Sequence, residues 1–113
     1  MTDLGLNQQD LDIIISVINR FPEVKQALIF GSRAKNNFRY GSDVDIALKG
    51  SELNLNIVSQ ISYQLNEDTI LPYRFDVLNY NSIVSAELKE HIDRVGVTVF
   101  EKPEPLTRFN NSK

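Results

Sequence analysis

The run Asp43-Val44-Asp45-Ile46-Ala47-Leu48 constrains the fold more than any other stretch of the chain. On an extended strand, side chains alternate between faces. Val44, Ile46 and Leu48 therefore form one apolar face, while Asp43 and Asp45 share the other, ~6.5–7 Å apart along the chain. A strand this apolar has to be buried, which requires neighbouring strands and a covering layer of helices.

The rest of the sequence predicts both. Leu6–Arg20 carries Leu11, Ile14, Ile15 and Ile18 at helical spacing, with Asn7 as cap, Asp10 in the acidic first turn and Pro22 as the stop. Val24–Phe30 ends in the apolar strand Ala27-Leu28-Ile29-Phe30, broken by Gly31-Ser32, and Arg33–Arg39 reads as one or two helical turns leading into a loop. Asn54–Leu65 repeats Leu55, Val58, Ile61 and Leu65 at helical spacing. Tyr73–Asn79 alternates as a strand, with Phe75 and Val77 opposed to Arg74, Asp76 and Leu78. Ile83–Val95 reads as a helix with Gly96 as a left-handed stop, followed by a short strand, Val97–Phe100. Strands alternating with helices indicate an α/β (α+β) domain: one small mixed β-sheet with helices packed against it. The domain is expected to occupy residues 1–100, with 101–113 a polar, proline-bearing tail.

Composition narrows the class. At 113 residues there is room for one domain, which buries roughly two-thirds of its unfolded surface. The 42% hydrophobic and 24% charged fractions are those of an ordinary globular protein. No apolar run approaches the ~20 residues that span a bilayer, so no membrane partner is expected. The acidic, polar amino terminus is unlike a secretory signal. The absence of cysteine excludes a disulfide framework and suits a cytoplasmic location. A net charge of −3 argues against a general DNA- or RNA-coating role, so no direct DNA binding is expected.

The chemistry concentrates between Gly31 and Asp45. Asp43 and Asp45 on one strand face repel each other and resist ionising together unless a cation joins them; hard oxygen donors favour Mg²⁺ or Mn²⁺. Asp76 is a lone acid in another apolar strand. If the two strands are neighbours, its carboxylate lies within ~5 Å of the same row. Three such carboxylates can hold two cations ~3.5–4 Å apart, the arrangement that supports in-line phosphoryl displacement. Gly31-Ser32, between a strand and an expected helical turn, can offer backbone N–H groups, the Ser32 hydroxyl and a helix dipole to a phosphate. It is not a Walker A loop, because no glycine-lysine-serine/threonine ending follows. From Glu23 to Gly50, five basic residues (Lys25, Arg33, Lys35, Arg39, Lys49) face three acidic ones (Glu23, Asp43, Asp45), a local +2.

These residues resemble the nucleotidyltransferases of the polymerase-β-like superfamily, whose signature is glycine-serine, ten residues, then Asp-x-Asp. Residues 33–42 separate Ser32 from Asp43, which is ten, and Asp43-Val44-Asp45 completes the pattern. Gly-Ser-Arg-Ala-Lys followed by Gly-Ser-Asp-Val-Asp-Ile-Ala is similar to the minimal nucleotidyltransferase (MNT) branch, small proteins paired with helical HEPN proteins. The resemblance covers Leu11 to about Phe100. It implies a polymerase-β-like core, two Mg²⁺ ions held by Asp43, Asp45 and Asp76, and the β- and γ-phosphates of ATP at Gly31 and Ser32, with Arg33 and Ser42 beside them. It further implies transfer of AMP to a hydroxyl, here a tyrosine of a HEPN partner, with pyrophosphate released, as the antitoxin of a toxin–antitoxin pair. Arg33 can equally brace the turn against a neighbouring carboxylate.

Other readings stay open beside this one. The domain can bind nucleotide without catalysis and neutralise a helical partner by docking. It can also modify a small molecule of aminoglycoside type, although such relatives carry an added helical domain. A single small domain leaves little room for two large substrates, so a partner chain or a second copy is expected to supply the rest. An EF-hand reading of Asp43-Val44-Asp45 fails, since Leu48 and Asn54 stand where its glycine and glutamate belong. Glu67 and Asp68, at a helix end, are poorer third acids than Asp76. His91, the only histidine, reads as an exposed helix residue and not a catalytic base. The tyrosines read as rims and core edges, with Tyr40 a candidate to border a base.

Overall fold

Local signals set the element boundaries. In the computed structural model, which describes residues 4–36, 38–39 and 41–102, helix α1 runs Gln8–Ile18. The Asn7 side chain accepts from Asp10 N–H at 2.7 Å and the Asp10 carboxylate accepts from Asn7 N–H, a reciprocal capping box. Strand β1, Gln26–Phe30, follows a short turn, and β2 is Val44–Lys49. Helix α2, Leu55–Glu67, starts at Asn54, whose side chain accepts from Ile57 N–H. Strand β3 is Phe75–Asn79, helix α3 is Ala86–Val95, and β4 is Val97–Glu101.

The sheet is mixed, in the order β3-β2-β1-β4. β1 runs antiparallel to β2 and β4, while β2 and β3 are parallel, joined by the crossover helix α2. α1 and α2 cover one face. Ile14, Val17 and Ile18 of α1 and Ile61 and Leu65 of α2 pack there on Ile29, Val44, Ile46, Leu48 and Phe75. α3 covers part of the opposite face, where Ile92 packs against Phe30 and Ala47. Both interior strands are therefore apolar on both sides along their middle, where Asp45 of β2 is the one polar residue; Gln26 and Lys49 lie at strand ends.

Four expectations need correction. The Arg33–Arg39 stretch starts as a single turn and not as a helix of two: residues 31–36 close with Lys35 N–H to Gly31 carbonyl at 3.2 Å, and Asn36 at φ 60° ends the turn. Residues 83–85 precede α3. A 3-10 turn, Tyr80–Ser82, comes first, and Ser85 caps α3 by accepting from Leu88 N–H. Gly96 is not a left-handed stop, since its φ is −61°. What requires glycine is space: a Cβ there would lie 2.6 Å from the Ile92 carbonyl oxygen and 3.1 Å from Leu28. Finally, β4 extends through Glu101, and Lys102 N–H still bonds the Lys25 carbonyl, so regular pairing reaches past residue 100. The remaining tail, 103–113, lies outside the described residues.

Candidate active site

The acids are assembled by strand register. Asp45 stands directly opposite Asp76 across the parallel β2–β3 pair and opposite Phe30 across β1–β2. Neighbouring strands lie ~4.8 Å apart, so the Asp45 and Asp76 side chains rise side by side from one face. Asp43, one residue before β2, shares that face by the strand period. Asp43 and Asp76 are exposed and Asp45 is half-buried. Burial raises the Asp45 carboxyl above the ordinary aspartate range, and the charges of Asp76 and Asp43 push it further the same way. Charges on His91 and Arg33 pull it back.

A cation suits this donor set. The charges of Asp76 and Asp43 raise the cost of ionising Asp45, a cost that a cation offsets, and Asp45 with Asp76 offers two adjacent oxygen donors for a Mg²⁺-like ion. The acids do not form a closed cage. Among the described residues, no three His, Cys, Asp or Glu side chains converge on a single metal-binding point.

Gly31 sits against this carboxylate pair. It follows Phe30 directly and has φ +77°, and a Cβ added to it would collide with the Asp45 carboxylate. Conformation and space both require glycine here. The adjacent Ser32 hydroxyl has no hydrogen-bond partner among the described residues. Because the following turn is not a helix, a helix dipole adds nothing. The N–H groups of Lys35 and Asn36 are spent within the turn, on the Gly31 and Arg33 carbonyls.

Two expected phosphate ligands are used otherwise. Arg33 is only 2% exposed. Its Nη2 donates to the Ser42 carbonyl at 2.7 Å, its Nε to the Ser42 and Asp43 carbonyls at 3.3 Å, and its Nη1 to the Leu4 carbonyl at 2.9 Å. The guanidinium lies over the Phe38 and Tyr73 rings, about 5 Å from each centroid. Arg33 is therefore a buried brace beneath the Asp43 backbone rather than a phosphate contact, and it braces carbonyls, not a carboxylate. The Ser42 hydroxyl accepts from Arg39 N–H at 2.8 Å and closes the turn before Asp43. Lys35 and Arg39 are exposed. Tyr40 lies outside the described residues.

One residue was missed in the sequence, and His91, expected to be exposed, is not fully so. Asn66, in the last turn of α2, accepts from Phe75 N–H at 2.8 Å and donates to the Phe75 carbonyl at 3.0 Å. It pins β3 one residue before Asp76. An asparagine in a helix interior is a weak signal for such a side-chain–backbone role. His91 is half-buried on α3, with its ring edge-to-face on Phe30 at 6.1 Å between centroids. Beside the acids, a groove of about 1000 Å³ runs between α2 and β3, bordered by Asp43, Asp76, Arg74, Tyr73, Tyr63 and Asn66. Its size matches a nucleotide or an inserted side chain. Gly31, Ser32 and Asp45 do not line it, so Asp43 and Asp76 stand between the groove and the glycine turn.

Residues 12–105 match the family model described as Polymerase beta, Nucleotidyltransferase. The chain belongs to that family. This nucleotidyltransferase is 43% identical over 61 residues to a Methanocaldococcus jannaschii protein provisionally named a protein adenylyltransferase. The match takes in 53% of this chain and 63% of the relative, so the chain spans less than two-thirds of that protein's length. Its fold is similar to that in a crystal structure of a toxin–antitoxin with AMP-PNP (TM-score 0.69, 20% identity, 82% of this chain and 74% of the other). It is also similar to a Shewanella oneidensis complex of a tri-AMPylated HEPN toxin with an MNT antitoxin (TM-score 0.65, 19% identity, 86% and 74%). At these identities the structural likeness concerns the fold. Among the described residues, no helix is long and apolar enough to cross a membrane.

Proposed function

We propose that this nucleotidyltransferase moves AMP from ATP to a hydroxyl on a helical, HEPN-type partner protein, in a Mg²⁺-dependent reaction that silences the partner. The observation that carries the reading is the register match of Asp45 with Asp76, with Asp43 on the same face and Gly31 pressed against Asp45. In this reading the N–H groups of the Gly31–Ser32 turn and the Ser32 hydroxyl hold the β- and γ-phosphates. Asp43, Asp45 and Asp76 hold the divalent cations, which, when bound, neutralise the triphosphate and stabilise the charge that builds on the leaving pyrophosphate. Asp76 is exposed at the edge of the groove, and in this reading the entering hydroxyl meets the nucleotide there and gives up its proton to the Asp76 carboxylate. The hydroxyl oxygen bonds to the α-phosphorus as the bond to the β-phosphate oxygen breaks, and pyrophosphate leaves.

The partner and the adenylyl group are supported by the name of the archaeal relative and by the complexes that share the fold. The test is to incubate the chain with ATP, Mg²⁺ and a HEPN-type helical protein from the same host, and to weigh that protein by mass spectrometry. A gain of AMP with release of pyrophosphate is expected. No gain of AMP and no pyrophosphate overturns the reading.

A second reading, neutralisation by docking without chemistry, has one observation behind it: the acids do not close a metal cage. It requires a D43N/D45N double variant to neutralise the partner as the wild type does. The transfer reading requires that variant to bind the partner and leave it active.

A further inference from the structure

α3 is the element that covers the acid-bearing face of the sheet. Its anchor is Ile92, fully buried against Phe30 and Ala47. One residue earlier, the His91 ring meets Phe30 edge-to-face, with centroids 6.1 Å apart and planes at 78°. Phe30 is the register partner of Asp45 and the residue before Gly31. His91, the half-buried Asp45 carboxylate and the glycine turn therefore surround a single phenyl ring. A charge on His91 reaches Asp45 strongly enough to favour its ionised form.

Neither nitrogen of the imidazole has a hydrogen-bond partner among the described residues. Neither nitrogen is a buried unsatisfied atom, so both stand open to solvent and to a bound ligand. The Asp45 carboxylate lies against Gly31, so an anion on that turn needs accompanying cations, and His91 can donate to it from the β1 side.

We infer that His91 is a nucleotide-contacting residue, its ring N–H donating to a non-bridging phosphoryl oxygen of the triphosphate seated on the Gly31–Ser32 turn. The inference rests on the nucleotide-binding reading above, and it adds a ligand contributed by α3, an element outside the glycine-serine and Asp-x-Asp signature.

The test is calorimetric titration of the full chain with AMP-PNP and Mg²⁺, in the wild type, His91→Phe and His91→Gln. Phenylalanine keeps the ring on Phe30 and removes the donor; glutamine keeps a donor and removes the ring. The Phe variant is expected to bind about tenfold or more weakly with an unchanged melting temperature, and the Gln variant to recover most of the loss. If the Phe variant does not fold, His91→Ala makes the same comparison. Binding by the donor-less variant within about twofold of wild type overturns the inference and makes His91 a packing residue. A wild type that does not bind AMP-PNP at all overturns the nucleotide-binding reading instead, so the two failures are distinct.

Discussion

Arg33 separates what a residue's chemistry suggests from what its surroundings make of it. Beside a glycine-serine turn, an arginine reads as a phosphate ligand. Buried under carbonyls from Leu4, Ser42 and Asp43, it instead holds the backbone from which Asp43 projects. Lysine keeps the charge but not the planar fork that reaches three carbonyls from one point. Arg33→Lys is therefore expected to cost about 2–4 kcal/mol in urea unfolding, because buried acceptors lose their donors. Stability within about 0.5 kcal/mol of wild type would contradict the brace. Neither the burial of Arg33 nor the placement of His91 was legible in the sequence, since each depends on segments brought in from far along the chain: Leu4 for Arg33, Phe30 for His91. The acids were legible because a period of two on a strand needs no tertiary information.

Asp45 gives a prediction with a definite sign. Its folded pKa lies above the unfolded value through burial and through Asp76 and Asp43. Its favourable contribution is therefore fully present below the unfolded pKa and is lost as pH rises through the folded one. At neutral pH and without divalent cation, the ionised carboxylate opposes folding. Asp45→Asn is expected to melt at a higher temperature than wild type at pH 7, and the gap should close as pH falls below the ordinary aspartate pKa. Thermal melts across that pH range check this, and a lower melting temperature for the variant at pH 7 would contradict it.

At the level of elements, the boundaries set by local chemistry were the legible ones. Asn7 with Asp10 begins α1 where a capping side chain predicts a helix, and α2 starts directly after Asn54, at the head of its apolar period. The starts of β3 and α3 were displaced because each is set by contacts that a hydrophobic period does not encode. β3 begins at Phe75, where Asn66 of α2 bonds both backbone groups, and α3 waits for Ser85 after the 3-10 turn. Asn66 thereby links the crossover helix to the strand that carries Asp76. Asn66→Ala is expected to lose about 1–2 kcal/mol of stability, and to reduce transfer activity by more than the unfolded fraction explains, because Asp76 sits one residue from the lost contact. Parallel urea titration and activity measurement check this; activity that tracks the folded fraction alone would contradict it.

Across the whole molecule, the two faces of the sheet divide the labour. The face under α1 and α2 is a closed apolar core that contributes stability. The other is covered by α3 on the β1 side, and on the β3 side Asp43 and Asp76 stand exposed beside a groove. That division explains why the fold class and the acid trio could be read together from the chain. The strand that needed burial on one face was the strand that carried Asp45 on the other. The groove itself was not legible, because it exists only where α2 crosses beside the edge strand β3.

The central claim is that this open face transfers a nucleotidyl group, and labelled ATP tests it most directly. With Mg²⁺ and a HEPN-type helical protein from the same host, label in the α-phosphate of ATP is expected on that protein and label in the γ-phosphate in released pyrophosphate. Asp45→Asn and Asp76→Asn should each abolish both. Label from the γ-phosphate on the partner, or α-label transfer undiminished in the two variants, would contradict the account.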